Sequence, residues 1–164
     1  MRKYLFTIAI FVLGMVAVSC SSDDNNALQF FSSTGCKVNE TRAVSDRGSL
    51  TDLYGQESIT YEGTEDGYLV LYHHNARFTC ETEVTASATV EDGRITIIES
   101  YNPNTNCICA YDLTMKIGPL KKGQYMVAVS NCISDTPTAR QTPDFSFSIN
   151  YNTSIKGEYI VNRY

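Results

Sequence analysis

An all-β domain is predicted by three features of this 164-residue sequence. Two long segments carry apolar residues at every second position, with mostly polar residues between. Turn residues recur between such segments, at intervals of roughly 8–12 residues. No amphipathic helical pattern occurs outside the first twenty residues.

The elements follow in order. Tyr68-Leu69-Val70-Leu71-Tyr72 is a continuous apolar run between Asp66-Gly67 and His73-His74-Asn75, as in a strand buried on both faces. Phe78, Cys80, Val84, Ala86, Ala88 and Val90 then occupy even positions, with Thr79, Glu81, Glu83, Thr85, Ser87 and Thr89 between them. That is the period of a strand with one face inward. Glu91-Asp92-Gly93 supplies a turn, and the β-branched run Ile95 to Ile98 follows. Cys107, Cys109, Tyr111, Leu113, Met115 and Ile117 share one parity, against Asp112, Thr114 and Lys116. Gly118-Pro119 ends that strand and Lys121-Lys122-Gly123 turns the chain. Tyr125, Val127 and Val129 alternate next. A polar segment at 131–144 precedes Phe145, Phe147, Ile149 and Tyr151, and a short strand near Tyr159 to Val161 closes the chain. These make about seven strands, which predicts an antiparallel β-sandwich, immunoglobulin-like in that count, with a closed barrel as the alternative.

The N-terminus has a different character. Arg2 and Lys3 precede an almost unbroken apolar run from Tyr4 to Val18, then small Ser19 and Cys20. This is the layout of a secretory signal, and its apolar run is shorter than the roughly 20 residues of a membrane-spanning helix. Ala17-Val18-Ser19-Cys20 resembles the lipobox of bacterial lipoproteins, with Ala17 where that family prefers Leu. The resemblance implies cleavage before Cys20 and lipid on its side chain and new amine. Several acyl chains, each methylene contributing about 0.8 kcal/mol when buried, anchor stably where one chain is marginal. Ser21-Ser22-Asp23-Asp24-Asn25-Asn26 resembles the surface-export signal of Bacteroidota-type lipoproteins, although its composition alone also makes a solvated tether. The expected organisation is a signal at 1–19, lipidated Cys20 with a flexible tether or approach segment over 20–55, and a β-sandwich at 56–164. The expected location is the outer membrane, facing outward, with the periplasmic face as the other possibility.

Removal of the signal takes Arg2 and Lys3, so the formal charge goes from −5 to −7. An acidic domain without a Lys/Arg cluster is a poor nucleic-acid binder, so none is expected as partner. Five cysteines remain beyond Cys20: Cys36, Cys80, Cys107, Cys109 and Cys132. In an exported chain disulfides are the default, and an odd number leaves a spare thiol. Residues i and i+2 on a strand lie roughly 6.6 Å apart at Cα, near the limit for a bridge, so Cys107–Cys109 is disfavoured. Cys80 is expected to join one of that pair, and the other to join Cys132 or Cys36. The competing chemistry is a metal site combining Cys80, Cys107 and Cys109 with His73 or His74. Paired C-x-x-C knuckles and H-E-x-x-H are both missing, so no metal or other cofactor is expected.

Asn75-Ala76-Arg77-Phe78-Thr79-Cys80, the segment Asn106 to Leu113, and Leu120-x-x-Gly123-x-Tyr125 together resemble a group of exported Bacteroidota-type β-domain lipoproteins of unassigned function. That resemblance implies a fold and a compartment, with no activity. No G-x-S-x-G elbow, P-loop or G-x-G-x-x-G occurs. His73 and His74 are the only histidines; as strand neighbours they face opposite sides and cannot chelate together, and His73 shares the face of Leu69 and Leu71. The acidic stretch Glu62 to Asp66 reads as a solvated turn. Ten mature tyrosines offer rings for a protein or glycan partner, provided some form an exposed patch. The expectation is a lipid-anchored, non-catalytic binding or structural module. An extracytoplasmic metal binder using Cys/His, and a small hydrolase without a recognisable motif, are the alternatives.

Overall fold

The computed structural model describes residues 26–37, 54–103, 105–133 and 142–162. The signal segment, Cys20 and most of the tether lie outside them. Nine strands are present among the described residues: β1 (Leu28–Ser33), β2 (Ser58–Gly63), β3 (Leu69–Thr79), β4 (Val84–Glu91), β5 (Arg94–Tyr101), β6 (Ile108–Ile117), β7 (Gly123–Ile133), β8 (Phe145–Tyr151) and β9 (Lys156–Ile160). They form a five-stranded sheet in the order β1-β6-β3-β2-β9 and a four-stranded sheet in the order β4-β5-β7-β8. This is the expected β-sandwich. One departure is that β5 and β7 run parallel, with β6 crossing to the opposite sheet between them.

Two strands are additions to the seven expected. β1 pairs with β6 through Phe31↔Met115 and its neighbours, so the domain takes in residues 28–37 that were assigned to the tether and approach segment. Its signal is weak because it is short and mostly polar on its outer side. β2 turns Ile59 and Tyr61 inward, while Glu62 and Gly63 belong to its end rather than to a turn. A third correction concerns the alternation over 78–90. β3 ends at Thr79, Cys80 and Glu81 form a turn with Glu81 at φ 56°, and β4 starts at Val84. The parity survives the turn, which is why one strand was expected.

The core fills the space between the sheets. Leu69, Leu71, Tyr111, Leu113, Met115 and Ile117 come from the larger sheet, and Ile95, Ile97, Val127, Val129 and Ile149 from the smaller. Aromatic pairs cross the gap, with Tyr61 on Phe147 at 5.7 Å and Phe78 on Tyr101 at 5.3 Å between ring centroids. Tyr61 crosses the backbone of Gly157, where an added Cβ would overlap the end of the ring and the ring would have to turn aside.

A bulge in β3 sets the position of everything at one end. His73 opposes Leu113 and Ala76 opposes Tyr111, so two residues of β3 face one of β6. Asn75 takes a positive φ of 53° there. The inward series changes from odd (Leu69, Leu71, His73) to even (Ala76, Phe78) across this point. Asp112 holds the bulge by accepting from the Asn75 backbone N–H at 3.0 Å. The Lys37 ammonium pairs with Asp112 and donates to Asn75 Oδ1 at 3.1 Å. Burial works against the charge on Asp112, but bonds from Lys37 and the Asn75 N–H hold its carboxyl below the usual range.

Candidate functional site

Two constellations of chemically capable side chains stand out, one at the centre and one at the end of the sandwich. At the centre, His73 projects from β3 between two carboxylates. Its Nδ1–H donates to Glu99 Oε1 of β5 at 2.8 Å, and its Nε2–H donates to Glu57 Oε1 at 3.0 Å, one residue before β2. His73 and Glu99 are 0% exposed and Glu57 is 1%. Arg77 Nε approaches the second oxygen of Glu57 at 3.9 Å, and the Phe145 ring meets the imidazole edge-on at 5.7 Å.

Charged carboxylate oxygens facing both ring nitrogens favour a proton on each. Burial alone would push the imidazole towards neutrality. The charge of Glu99, with hydrogen bonds to Glu57 and Glu99, outweighs it and raises the pKa to about 9. The imidazolium therefore persists at neutral pH and ties the two sheets together through charged hydrogen bonds. It has no free lone pair for proton abstraction and no opening to solvent. This is the chemistry of a structural clamp. His74, its neighbour in sequence, points the other way: its Nε2 meets Thr60 Oγ1 at 2.8 Å, and its ring stacks on Tyr72. The two histidines are thus separated by the sheet, as their adjacency requires.

Glu57 and Glu99 were not among the sequence candidates. Glu99 continues the inward parity of Ile95 and Ile97, and Glu57 that of Ile59. A carboxylate on an apolar parity was the available signal.

At the end of the sandwich, four cysteines converge. Cys80 is bridged to Cys107, and Cys36 to Cys109. The first bridge joins the end of β3 to the start of β6, where the Cys80 N–H also donates to the Cys107 carbonyl at 3.0 Å. The second fastens the segment after β1 to β6, beside the Lys37–Ala110 backbone bridge. The pairing lies within the alternatives that parity left, with Cys36 taking the place that Cys132 could have had. Cys132 is the free cysteine among the described residues and is buried on β7.

The two bridges touch. Cys109 Sγ lies 3.1 Å from Cys80 Sγ, inside van der Waals contact for two sulfurs. The sulfurs thus run as a string, Cys36–Cys109 against Cys80–Cys107. Cys107 at one end is exposed, and Cys109 in the middle is 5% exposed. The Thr105 hydroxyl lies 3.5 Å from Cys107 Sγ and donates to the Cys80 carbonyl at 3.2 Å. The sulfurs of Cys36, Cys80 and Cys109 fall within 4.8 Å of one another, a spacing that a thiophilic ion spans once they are thiolates. Neither histidine belongs to that group.

The remaining surface is less specific. A hollow of about 340 Å³ is lined by Gln124, Ser148, Ile149 and Asn150, and one of about 160 Å³ by residues including Thr60, Tyr72 and Lys156. Neither is lined by a convergent His–carboxylate set. Every described tyrosine is buried or half-buried, so the exposed tyrosine patch that would favour a binding face is missing among the described residues. Comparison of the chain with protein families, curated proteins and solved structures gives no match.

Proposed function

We propose that this chain is an exported, lipid-anchored outer-membrane protein, facing the cell surface, whose β-sandwich is a non-catalytic binding or structural module. The observation that carries the reading is the pair of disulfides. Such bonds form and persist in oxidising compartments, which agrees with the export signal read at 1–19 and with Cys20 as a lipid site. The His73 cluster is sealed from solvent, so it is not itself a site a substrate reaches. The partner is a protein or a glycan met at the surface.

Fractionation and mass spectrometry of the mature chain test this directly. The expected result is a membrane-bound protein starting at Cys20, with a mass increase there of a diacylglyceryl group plus an N-acyl chain, that external protease removes from intact cells. A soluble, unmodified N-terminus cleaved elsewhere would overturn the anchor.

A second reading draws on the three sulfurs within 4.8 Å. In reduced protein, Cys36, Cys80 and Cys109 would hold a thiophilic ion such as zinc. Three or more free thiols with stoichiometric metal after anaerobic purification would establish it; bridged, metal-free protein would dismiss it.

A further inference from the structure

The two disulfides are separate covalent braces, yet their sulfurs are in contact. We infer that Cys36, Cys80, Cys107 and Cys109 form one thiol–disulfide exchange unit, in which a dithiol reductant acting at exposed Cys107 releases the thiol of Cys36 and leaves a Cys80–Cys109 bridge. The inference stands whether or not Cys20 carries lipid.

Three features of the site carry it. Access comes first: Cys107 is the exposed member, and Cys109 is nearly covered. Cys36 and Cys80 are half-buried, so an incoming thiolate meets Cys107 first. Contact comes second. The 3.1 Å between Cys80 Sγ and Cys109 Sγ meets the distance of about 3–3.5 Å for a near-attack geometry, and a turn of Cys36 Sγ away from Cys80, which it lies within 4.8 Å of, completes the in-line alignment. Retention comes third. The Cys36 segment is held to β6 without its bridge, by the Lys37 N–H donating to the Ala110 carbonyl at 2.8 Å and by the Lys37–Asp112 ion pair. Breaking Cys36–Cys109 does not free that segment to leave.

The exchange balances without further reagents. A thiolate of the external dithiol attacks Cys107 Sγ, forming a mixed disulfide and breaking Cys80–Cys107, with the electron pair leaving on Cys80. The Cys80 thiolate attacks Cys109 Sγ, forming Cys80–Cys109 and breaking Cys36–Cys109. The pair leaves on Cys36, which takes a proton from solvent. The second thiol of the reductant then resolves the mixed disulfide and frees Cys107. Two electrons have passed from the dithiol to the protein, which has exchanged two bridges for one and gained two thiols. The partner implied is a disulfide oxidoreductase or small dithiol. The thiol of Cys36, remote from the point of attack, is the signal of the exchange.

The test is limited reduction of the purified full mature chain with dithiothreitol under native conditions, an acid quench, alkylation and peptide mapping. The expected product carries label on Cys36 and Cys107, with a Cys80–Cys109 crosslink in most singly reduced molecules. Label mainly on Cys80 and Cys107, or mainly on Cys36 and Cys109, would overturn the exchange. Cys107→Ser gives a second readout without any reductant. It should yield a Cys80–Cys109 crosslink in at least a tenth of the protein. A crosslink confined to Cys36–Cys109 in that variant counts against the proposal.

Discussion

The centre and the end of this sandwich both gather reactive side chains, and they use them in opposite ways. Around His73 every hydrogen-bonding valence of the ring is occupied and no water reaches it. Around Cys80 and Cys109 the bonds are complete too, but an alternative partner lies in contact and one end is open. The difference shows that burial and saturation together make a group inert. A saturated group with a neighbour able to take over its bond stays chemically available.

The largest effect should come from breaking the central cluster. His73→Ala leaves Glu57 and Glu99 buried without the cation between them, and should cost about 3–5 kcal/mol of unfolding free energy in urea titration. The same loss should appear with the disulfides intact or reduced. If the variant lost less than about 1 kcal/mol, the cluster would not be the clamp described.

The bridges come next and should differ from each other. Chain-entropy reasoning gives roughly 4 kcal/mol for Cys36–Cys109, which spans 73 residues, and somewhat less for Cys80–Cys107, which spans 27. Cys36→Ser with Cys109→Ser, and Cys80→Ser with Cys107→Ser, measure each without leaving a thiol for exchange. Equal or inverted costs would show that local packing outweighs loop length.

A smaller effect is a pH dependence belonging to the centre alone. The folded pKa of His73, about 9, lies above its ordinary 6.5. Its contribution is therefore complete below pH 6.5 and is lost as pH rises to 9, by up to roughly 3 kcal/mol. Urea titrations at pH 6 and pH 9.5 should show the fall in the native chain and its absence in His73→Gln. A fall of equal size in both would assign it to other groups.

The sandwich was legible where period two ran unbroken, as in β8 and in β6 from Tyr111 onward. It was less legible where geometry changes without changing composition. Asn75 adds one residue to β3, and the inward positions pass from odd to even with no break in apolar content. The turn at Cys80 and Glu81 keeps the parity across two strands, so β3 and β4 look fused. At the sites, the approach of Cys80 to either Cys107 or Cys109 was readable from spacing. The clamp was not, because Glu57, His73 and Glu99 come from three separate strands or their approaches, and their meeting depends on the two sheets facing each other. Nothing in local sequence encodes that.

The parallel pairing of β5 with β7 has a kinetic consequence. The β4–β5 and β7–β8 pairs each form between neighbours in sequence, so each can zip locally. They join into one sheet through the parallel β5–β7 pairing, across the crossover that places β6 beside β3 and β1. Long-range pairings of this kind slow folding, because chain entropy is lost before the contacts that repay it form. Folding of this chain is therefore expected to be slower than that of a sandwich whose sheets are built from local hairpins alone.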